Sequence, residues 1–367
     1  MRIIEEEQLD FSDVLIRPAR SDFNSRSEAN IFRTFKKSGY DGECWSREFS
    51  CIPICIANMN SIATPEMAKI AVRKGLLCSM EKHLSYNELR QMYDDLTKME
   101  IEDECDISKF VYTNRIALSI GVSESLDTIK RLNDEFSVNI INIDVANGYM
   151  SKLQDRVREV REAFPYAWII AGTVVTGDIV TDLLNCGADI IRAGIGAGAQ
   201  CRTRLQTGVG RPMVSMLQEC SDAAHQIHGY VMSDGGCTCP GDICKALGCA
   251  DFVMVGSMFA GAEEAAEDII EIGGERYKKF AGMSSAYVQN KLFGGFKSQY
   301  RSSEGRQTLV KIAGPLSDII DDILGGLRSC FTYIGCHNMK HFQKHCVFYK
   351  VRHQLTTTYE HAPTFKQ

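Results

Sequence analysis

One loop concentrates residues able to do covalent chemistry. It reads Gly194-Ile195-Gly196-Ala197-Gly198-Ala199-Gln200-Cys201-Arg202-Thr203-Arg204. Three glycines alternating with small residues let a backbone turn sharply and approach a ligand closely. The cysteine at the far end has a hydroxyl and two arginines beside it. Positive charge near a thiol favours the thiolate, which is the nucleophilic form. The same residues suit a plainer role, a packing cysteine in a phosphate loop, and the loop alone leaves both open. Two further glycine turns, Ser233-Asp234-Gly235-Gly236 and Gly256-Ser257-Met258, could present backbone N–H groups to a phosphate. Asp234 could accept hydrogen bonds from ribose hydroxyls or simply cap the next turn. Asp144 offers a carboxylate in Asp144-Val145-Ala146-Asn147-Gly148. Glu81-Lys82-His83 offers groups that could polarise a substrate or touch a cofactor, a surface ion pair being the alternative. Cys237-Thr238-Cys239 has no second pair or nearby histidine, so it makes a poor zinc site. The histidines at 341, 345, 353 and 361 fall in a polar tail and read as solvated.

The elements that must carry these residues alternate along the chain. Short apolar, β-branched runs occupy Ile52–Met59, Leu76–Met80, Ile116–Val122, Ile140–Ala146, Trp168–Val175, Asp189–Ile195, Tyr230–Asp234 and Asp251–Gly256. Helix-period stretches lie between them, among them Pro65–Arg73, Tyr86–Thr97, Leu153–Ala163, Ile179–Asn185, Val214–Ile227 and Asp242–Leu247. Eight such units predict an α/β fold, a closed (β/α)8 TIM barrel, rather than an open doubly wound sheet. An open sheet would place its glycine fingerprint after the first strand. Here that strand ends in Ala57-Asn58-Met59-Asn60, and the later Gly-x-Gly-x-Gly is in the wrong place for a dinucleotide motif. In a barrel, catalytic groups come from the strand ends and the loops that follow them, which is where the cysteine loop, the glycine turns, Asp144 and Glu81-Lys82-His83 lie. The expected organisation is one domain over 1–367. Residues 1–50 cap one barrel end and 51–259 form the eight units. A long flap without regular structure spans 260–314, and 315–367 form a helical segment ending in a frayed tail.

The bulk composition narrows the classes. With 44% hydrophobic residues and 24% charged, the 367-residue chain can bury a large core and reads as a soluble protein. No apolar run is long enough to span a bilayer, and the acidic start MRIIEEEQLDF has no signal-peptide core, so a cytoplasmic protein without membrane partners is expected. The 15 cysteines show no repeated framework, and several, such as Cys55, Cys78 and Cys249, lie in or beside apolar runs; reduced thiols are expected. A net charge of -6 argues against a nucleic-acid partner but not against a phosphorylated small molecule.

Taken together, these residues resemble the IMP dehydrogenase/GMP reductase family nearly end to end, from Leu9-Asp10-Phe11 to Gly325-Gly326-Leu327-Arg328-Ser329. The stretches Asp144–Tyr149, Ser233–Asp242, Gly282-Met283-Ser284-Ser285 and Tyr300–Gly305 look like the reductase branch. Too little chain lies between His83 and the third strand for a CBS insertion. The resemblance implies that Cys201 attacks purine C2 of GMP and expels ammonia, and that a hydride from NADPH then releases IMP. It implies that Thr203 and Glu304 handle the proton of the departing ammonia, with Lys82 and Asp144 also catalytic. Asp234, Gly235, Gly236, Gly256 and Ser257 would hold ribose and phosphate, joined by Gly282, Met283, Ser284, Arg301, Ser302, Ser303 and Gly305 of the flap. The cofactor would meet Ser25, Arg26, His83, Asp144, Val145, Ala146, Ile195, Gly196, Met283, Tyr300 and Arg301. In a homotetramer, Ser329, Cys330, Phe331 and Thr332 would reach it from a neighbouring subunit. A monovalent cation such as K+ would sit at Gly196, Gly198, Cys201 and Arg204.

Some positions depart from the family pattern. Ala199 replaces a phosphate-contacting serine, Arg202 a threonine, Ala197 a proline, Arg211 a tyrosine and Asn60 an aspartate. A lost neutral phosphate contact costs on the order of 1 kcal/mol, which Arg202 could offset by charge. Three alternatives therefore stand beside reduction of GMP: oxidation of IMP, action on dGMP or a modified purine nucleotide, and a nucleotide-binding relative without turnover.

Overall fold

The computed structural model of the chain describes residues 3–38, 46–105, 111–293 and 303–352. A short strand β1 (Val14–Ile16) is followed by a hairpin, β2 (Arg33–Ser38) and β3 (Ser46–Cys51). Eight parallel strands then close into a barrel: β4 (Ile54–Ile56), β5 (Leu77–Met80), β6 (Ile116–Ile120), β7 (Ile140–Asp144), β8 (Trp168–Val174), β9 (Ile190–Ala193), β10 (Tyr230–Asp234) and β11 (Phe252–Val255). Each lies inside one of the expected runs, and β11 pairs back onto β4 to complete the ring. The intervening helices are α1 (Pro65–Arg73), α2 (Tyr86–Glu102), α3 (Asp127–Phe136), α4 (Ser151–Ala163), α5 (Gly177–Asn185), α6 (Thr203–Thr207), α7 (Met213–Gln226) and α8 (Pro240–Cys249).

Local sequence explains the punctuation. Thr64 caps α1, its side chain accepting from the Met67 N–H, with Pro65 in the first turn. Ser85 and Glu88 form a reciprocal capping box on α2. All five residues of β6 are buried, as a strand with a packed barrel interior on one face and helices on the other demands. Thiols belong to this core or pack against it: burial pushes the buried Cys55 and the partly buried Cys249 up to about 12. Among the described residues every cysteine is free, and no helix is long and apolar enough to cross a membrane.

The first fifty residues divide between two places. Phe35 of the hairpin stacks on Phe252 at 4.0 Å, and Phe49 meets Trp168 edge-on at 5.0 Å. Trp168 and Phe252 begin their strands, so the hairpin plugs the N-terminal mouth of the barrel. Phe11 and β1 go elsewhere: Lys245 of α8 donates to the Phe11 carbonyl, and β1 pairs with a strand near the far end of the chain, Phe348–Lys350.

Beyond β11 the expectation of a flap without regular structure is overturned. Residues 260–314 contain a three-stranded antiparallel sheet of β12 (Ile270–Ile272), β13 (Glu275–Ala281) and β14 (Gln307–Lys311), with α9 (Ala286–Phe293) between the last two. The β12–β13 turn is Gly273-Gly274, at φ of 61° and 81°, a tight hairpin that needs two residues comfortable at positive φ. The chain continues through α10 (Leu316–Ile334), α11 (Phe342–His345) and β15 (Phe348–Lys350). His341 and His345 are exposed but sit at α11 rather than in a tail; His353, His361 and the stretch from Thr356 to Gln367 lie outside the described residues.

Candidate active site

The nucleophile candidate ends the loop after β9. Cys201 is exposed, and its Sγ donates to Thr203 Oγ1 at 3.2 Å. The Thr203 hydroxyl in turn donates to Glu304 Oε2 at 2.6 Å. Thiol, hydroxyl and carboxylate thus form a continuous relay, two members from one loop and the third from the flap.

Backbone pairing sets that relay's geometry. Cys201 and Gly305 form an antiparallel bridge. The Arg202 N–H donates to the Glu304 carbonyl at 2.6 Å, and the Arg306 N–H to the Gln200 carbonyl at 3.0 Å. Side chains extend the zipper: Gln200 Nε2 donates to Thr308 Oγ1 at 2.8 Å and Arg306 Nε to the Ala199 carbonyl at 2.9 Å. Gly305 cannot carry a side chain here, because a methyl group would lie 2.5 Å from the Ser285 nitrogen. Gly282 donates to the Arg306 carbonyl, Ser303 to the Ser284 carbonyl, and Met283 Sδ accepts from the Asn60 N–H after β4. The flap therefore spans the mouth. Tyr300, Arg301 and Ser302 lie outside the described residues.

A second constellation lies on the strand ends. Arg192, in β9, is buried and bridges two carboxylates. Its NH1 donates to Asp144 Oδ1 at 2.7 Å, while NH2 and Nε reach Asp234 Oδ2 at 2.6 and 3.2 Å. Asn142 lies 3.4 Å from NH1 and is itself held by Ser79 and Ser119 at 3.0 and 3.1 Å. Lys82 Nζ stands 3.9 Å from Asp144 Oδ2. Burial would raise the Asp144 carboxyl, but the Arg192 and Lys82 charges outweigh it and hold the group below the usual carboxylate range. Burial likewise works against the Arg192 guanidinium, and the two aspartates more than offset it. Arg192 was not anticipated. The signal was present, since a charge inside Ile190-Ile191-Arg192-Ala193 needs buried partners.

The Gly235-Gly236 turn meets the Cys201 loop directly. Gly235 adopts φ of 86°, and a methyl there would fall 2.9 Å from the Gly198 nitrogen. Gly256 and Ser257 follow β11, which pairs with β10 beneath Asp234. A cavity of about 440 Å³ adjoins Gly236, walled by Asp10, Arg204, Cys239, Asp242 and Lys245 among others; it touches neither Cys201 nor Asp234 and is a neighbour of the site.

Other expected residues are placed less uniformly. Val145 and Ile195 are buried beside the mouth, and Ala146 is exposed. Ser25 caps the turn Arg26–Glu28, which packs on α10, the helix that carries Ser329–Thr332. There the Phe331 side chain is fully buried and stacks on Phe342 at 4.8 Å, so it packs in the core. Among the family departures, Arg202 is exposed, whereas Arg211 is tied to Gln8 and Glu219.

The sequence model of the IMP dehydrogenase / GMP reductase domain matches residues 8–361. A protein named GMP reductase from Phytophthora infestans is 42% identical over 363 residues, covering 99% of this chain and 96% of the relative. Proteins of the same name from Vibrio cholerae and Shewanella pealeana are each 41% identical, over 366 and 362 residues, covering 98% of this chain and 99% of the relatives.

Proposed function

The chain belongs to the IMP dehydrogenase/GMP reductase family, and from that premise we propose that it catalyses NADPH-dependent reductive deamination of GMP to IMP and ammonia. The observation that carries this reading is the relay Cys201–Thr203–Glu304. A carboxylate at its end can accept and return protons, as expulsion of ammonia requires and an amide could not.

In this reading Glu304 draws the thiol proton through the Thr203 hydroxyl, and Cys201 Sγ bonds to C2 of the purine. The C2–N bond breaks as Glu304, through Thr203, returns a proton to the departing ammonia. Asp234 and the turns at Gly235-Gly236 and Gly256-Ser257 hold ribose and phosphate, while the flap at Met283, Ser284 and Gly305 covers the base. Ala199 brings no hydroxyl to the phosphate, and the exposed Arg202 supplies charge beside it.

The residues fit a nicotinamide cofactor. Asp144 is kept ionised yet 21% of its side chain is accessible, beside Lys82, which suits ribosyl hydroxyls and an adjoining carboxamide. When bound there, the cofactor supplies the hydride that forms the new C2–H bond, and the C2–S bond then breaks to return Cys201. A monovalent cation does not fit as well. The Gly198 carbonyl already accepts from Cys201 N–H, the Arg204 carbonyl from Gly208 N–H, and the Arg204 side chain packs on Gly196. No step is assigned to a cation.

Mass spectrometry of the protein incubated with GMP alone tests the reading: an adduct on Cys201 is expected, discharged as IMP on adding NADPH. NAD reduction with IMP, and no NADPH oxidation with GMP, would replace it with the oxidative alternative. A panel in which GMP is a poorer substrate than dGMP would relocate the specificity to the Ala199–Arg202 stretch.

A further inference from the structure

The mouth of the barrel contains one charged side chain that both halves of the proposed site share. Arg192 uses NH1 on Asp144 and uses NH2 with Nε on Asp234. A guanidinium is planar and rigid, with its donors in a fixed fork, so the two carboxylates are bound to one body. Asp144 leads on to Lys82, the side proposed for the cofactor. Asp234 adjoins Gly235, the side proposed for the nucleotide. Its Oδ2 is engaged by Arg192, while Oδ1 has no hydrogen bond among the described residues and is available to a ribose hydroxyl.

We infer that Arg192 is a positioning residue that couples nucleotide binding to cofactor binding. A ribose hydroxyl on Asp234 fixes that carboxylate, the fork transmits the constraint to Asp144, and Asp144 is then held in place for the second ligand. The surroundings favour transmission over dissipation. Arg192 is 6% exposed, and NH1 is braced by Asn142, itself pinned by Ser79 and Ser119. Linkage makes the effect reciprocal: each ligand strengthens the other by the same factor. The inference rests on the site assignment proposed above and adds to it a route between its halves.

Lysine at this position keeps the charge but is a single point on a flexible stem, unable to engage both carboxylates with the same geometry. The test is calorimetric titration of the whole protein with GMP, with NADP+, and with each in the presence of the other, for the wild type and Arg192→Lys. In the wild type, saturating GMP is expected to tighten NADP+ binding by at least about fivefold, and the converse equally. In the variant, that factor falls below about twofold, while each ligand alone binds within about tenfold of wild type. A role limited to holding the barrel together would lower stability and leave the coupling factor intact. Should Arg192→Lys fail to give a cooperative melt, Asp144→Asn breaks the other end of the bridge and must show the same loss. Coupling of fivefold or more in the variant, or none in the wild type, overturns the inference. Coupled binding in a wild type that turns over neither GMP nor IMP would overturn the proposed reaction and leave the coupling standing.

Discussion

Two buried clusters of basic and acidic side chains lie at opposite ends of the barrel, and their difference separates a site from a strut. At the N-terminal end, Asp189 precedes β9 and pairs with Lys37 at 2.9 Å and Arg161 at 2.6 Å. It also accepts from the Ile169 N–H, while Lys37 donates to the Ala167 carbonyl and Arg161 to the carbonyls of Gly187, Pro165 and Ala167. Asp189 is only 6% accessible and Lys37 5%, and the Asp189 Oδ2 accepts from Lys37, Arg161 and Ile169 alike. At the C-terminal end, Asp144 and Asp234 terminate their strands on either side of Arg192 and remain 21% and 20% accessible. The chemistry is the same at both ends. What differs is access: the N-terminal carboxylate is sealed off, while Asp144 and Asp234 stay partly open to something that is not protein. Barrel folds in general place function at that face and stability at the other.

Breaking the C-terminal end should cost turnover and not stability. Cys201→Ala is expected to lower kcat by about 10⁴-fold or more, since no other group in the relay can form the bond to carbon. The exposed thiol packs against little, so unfolding free energy should move by no more than about 0.5 kcal/mol. Stopped-flow NADPH oxidation and urea unfolding check both halves; a destabilised protein with residual turnover would place Cys201 among the struts. The opposite end should behave in reverse. Asp189→Asn leaves two buried cations without a counter-charge and is expected to cost about 3–5 kcal/mol by the same unfolding measurement. Activity per folded molecule should stay within about twofold.

Glu304→Gln sharpens the comparison inside the site. The amide keeps an acceptor for Thr203 but cannot move a proton, so kcat should fall by about 10²- to 10³-fold. The Kd for GMP should change by less than about threefold. Equal turnover in this variant would remove the relay as a proton path and leave it a hydrogen bond.

Much of this was legible in the residues. The eight β/α units were readable because buried parallel strands are continuous apolar runs, and Cys201, Asp144, Asp234 and the glycine turns were readable because they end or follow strands. Arg192 was hidden by the same rule that revealed the strand, since a run called apolar tolerates one charge and its partners lie 42 and 48 residues away. The flap sheet was missed because β13 is dominated by charged residues, although Gly273-Gly274 carried the hairpin signal. Asp189 and Asp144 illustrate the remaining limit: each borders an apolar run, and only the strand direction tells which faces the mouth.

Lys37 gives the smallest expected effect and the cleanest test of what a strut contributes. Burial, opposed by Asp189, pushes its ammonium down to about 8, against roughly 10.4 in an unfolded chain. Below pH 8 both states carry the proton, and the folded state bears the full penalty of the buried charge. From pH 8 upward the folded state loses the proton before the unfolded one does, so stability rises with pH, at up to about 1.4 kcal/mol per unit. Lys37→Met removes both the charge and the slope, while Asp189 keeps Arg161 as its partner. At pH 7 the variant is therefore expected to lie within about 1 kcal/mol of wild type or to be more stable. Between pH 7.5 and 10 the difference should move by about 1–3 kcal/mol in favour of the wild type. Urea unfolding at several pH values reads it directly. A difference that stays constant over that range would mean Lys37 keeps its proton throughout, and that the N-terminal cluster stabilises its charges as fully as Arg192 stabilises Asp144.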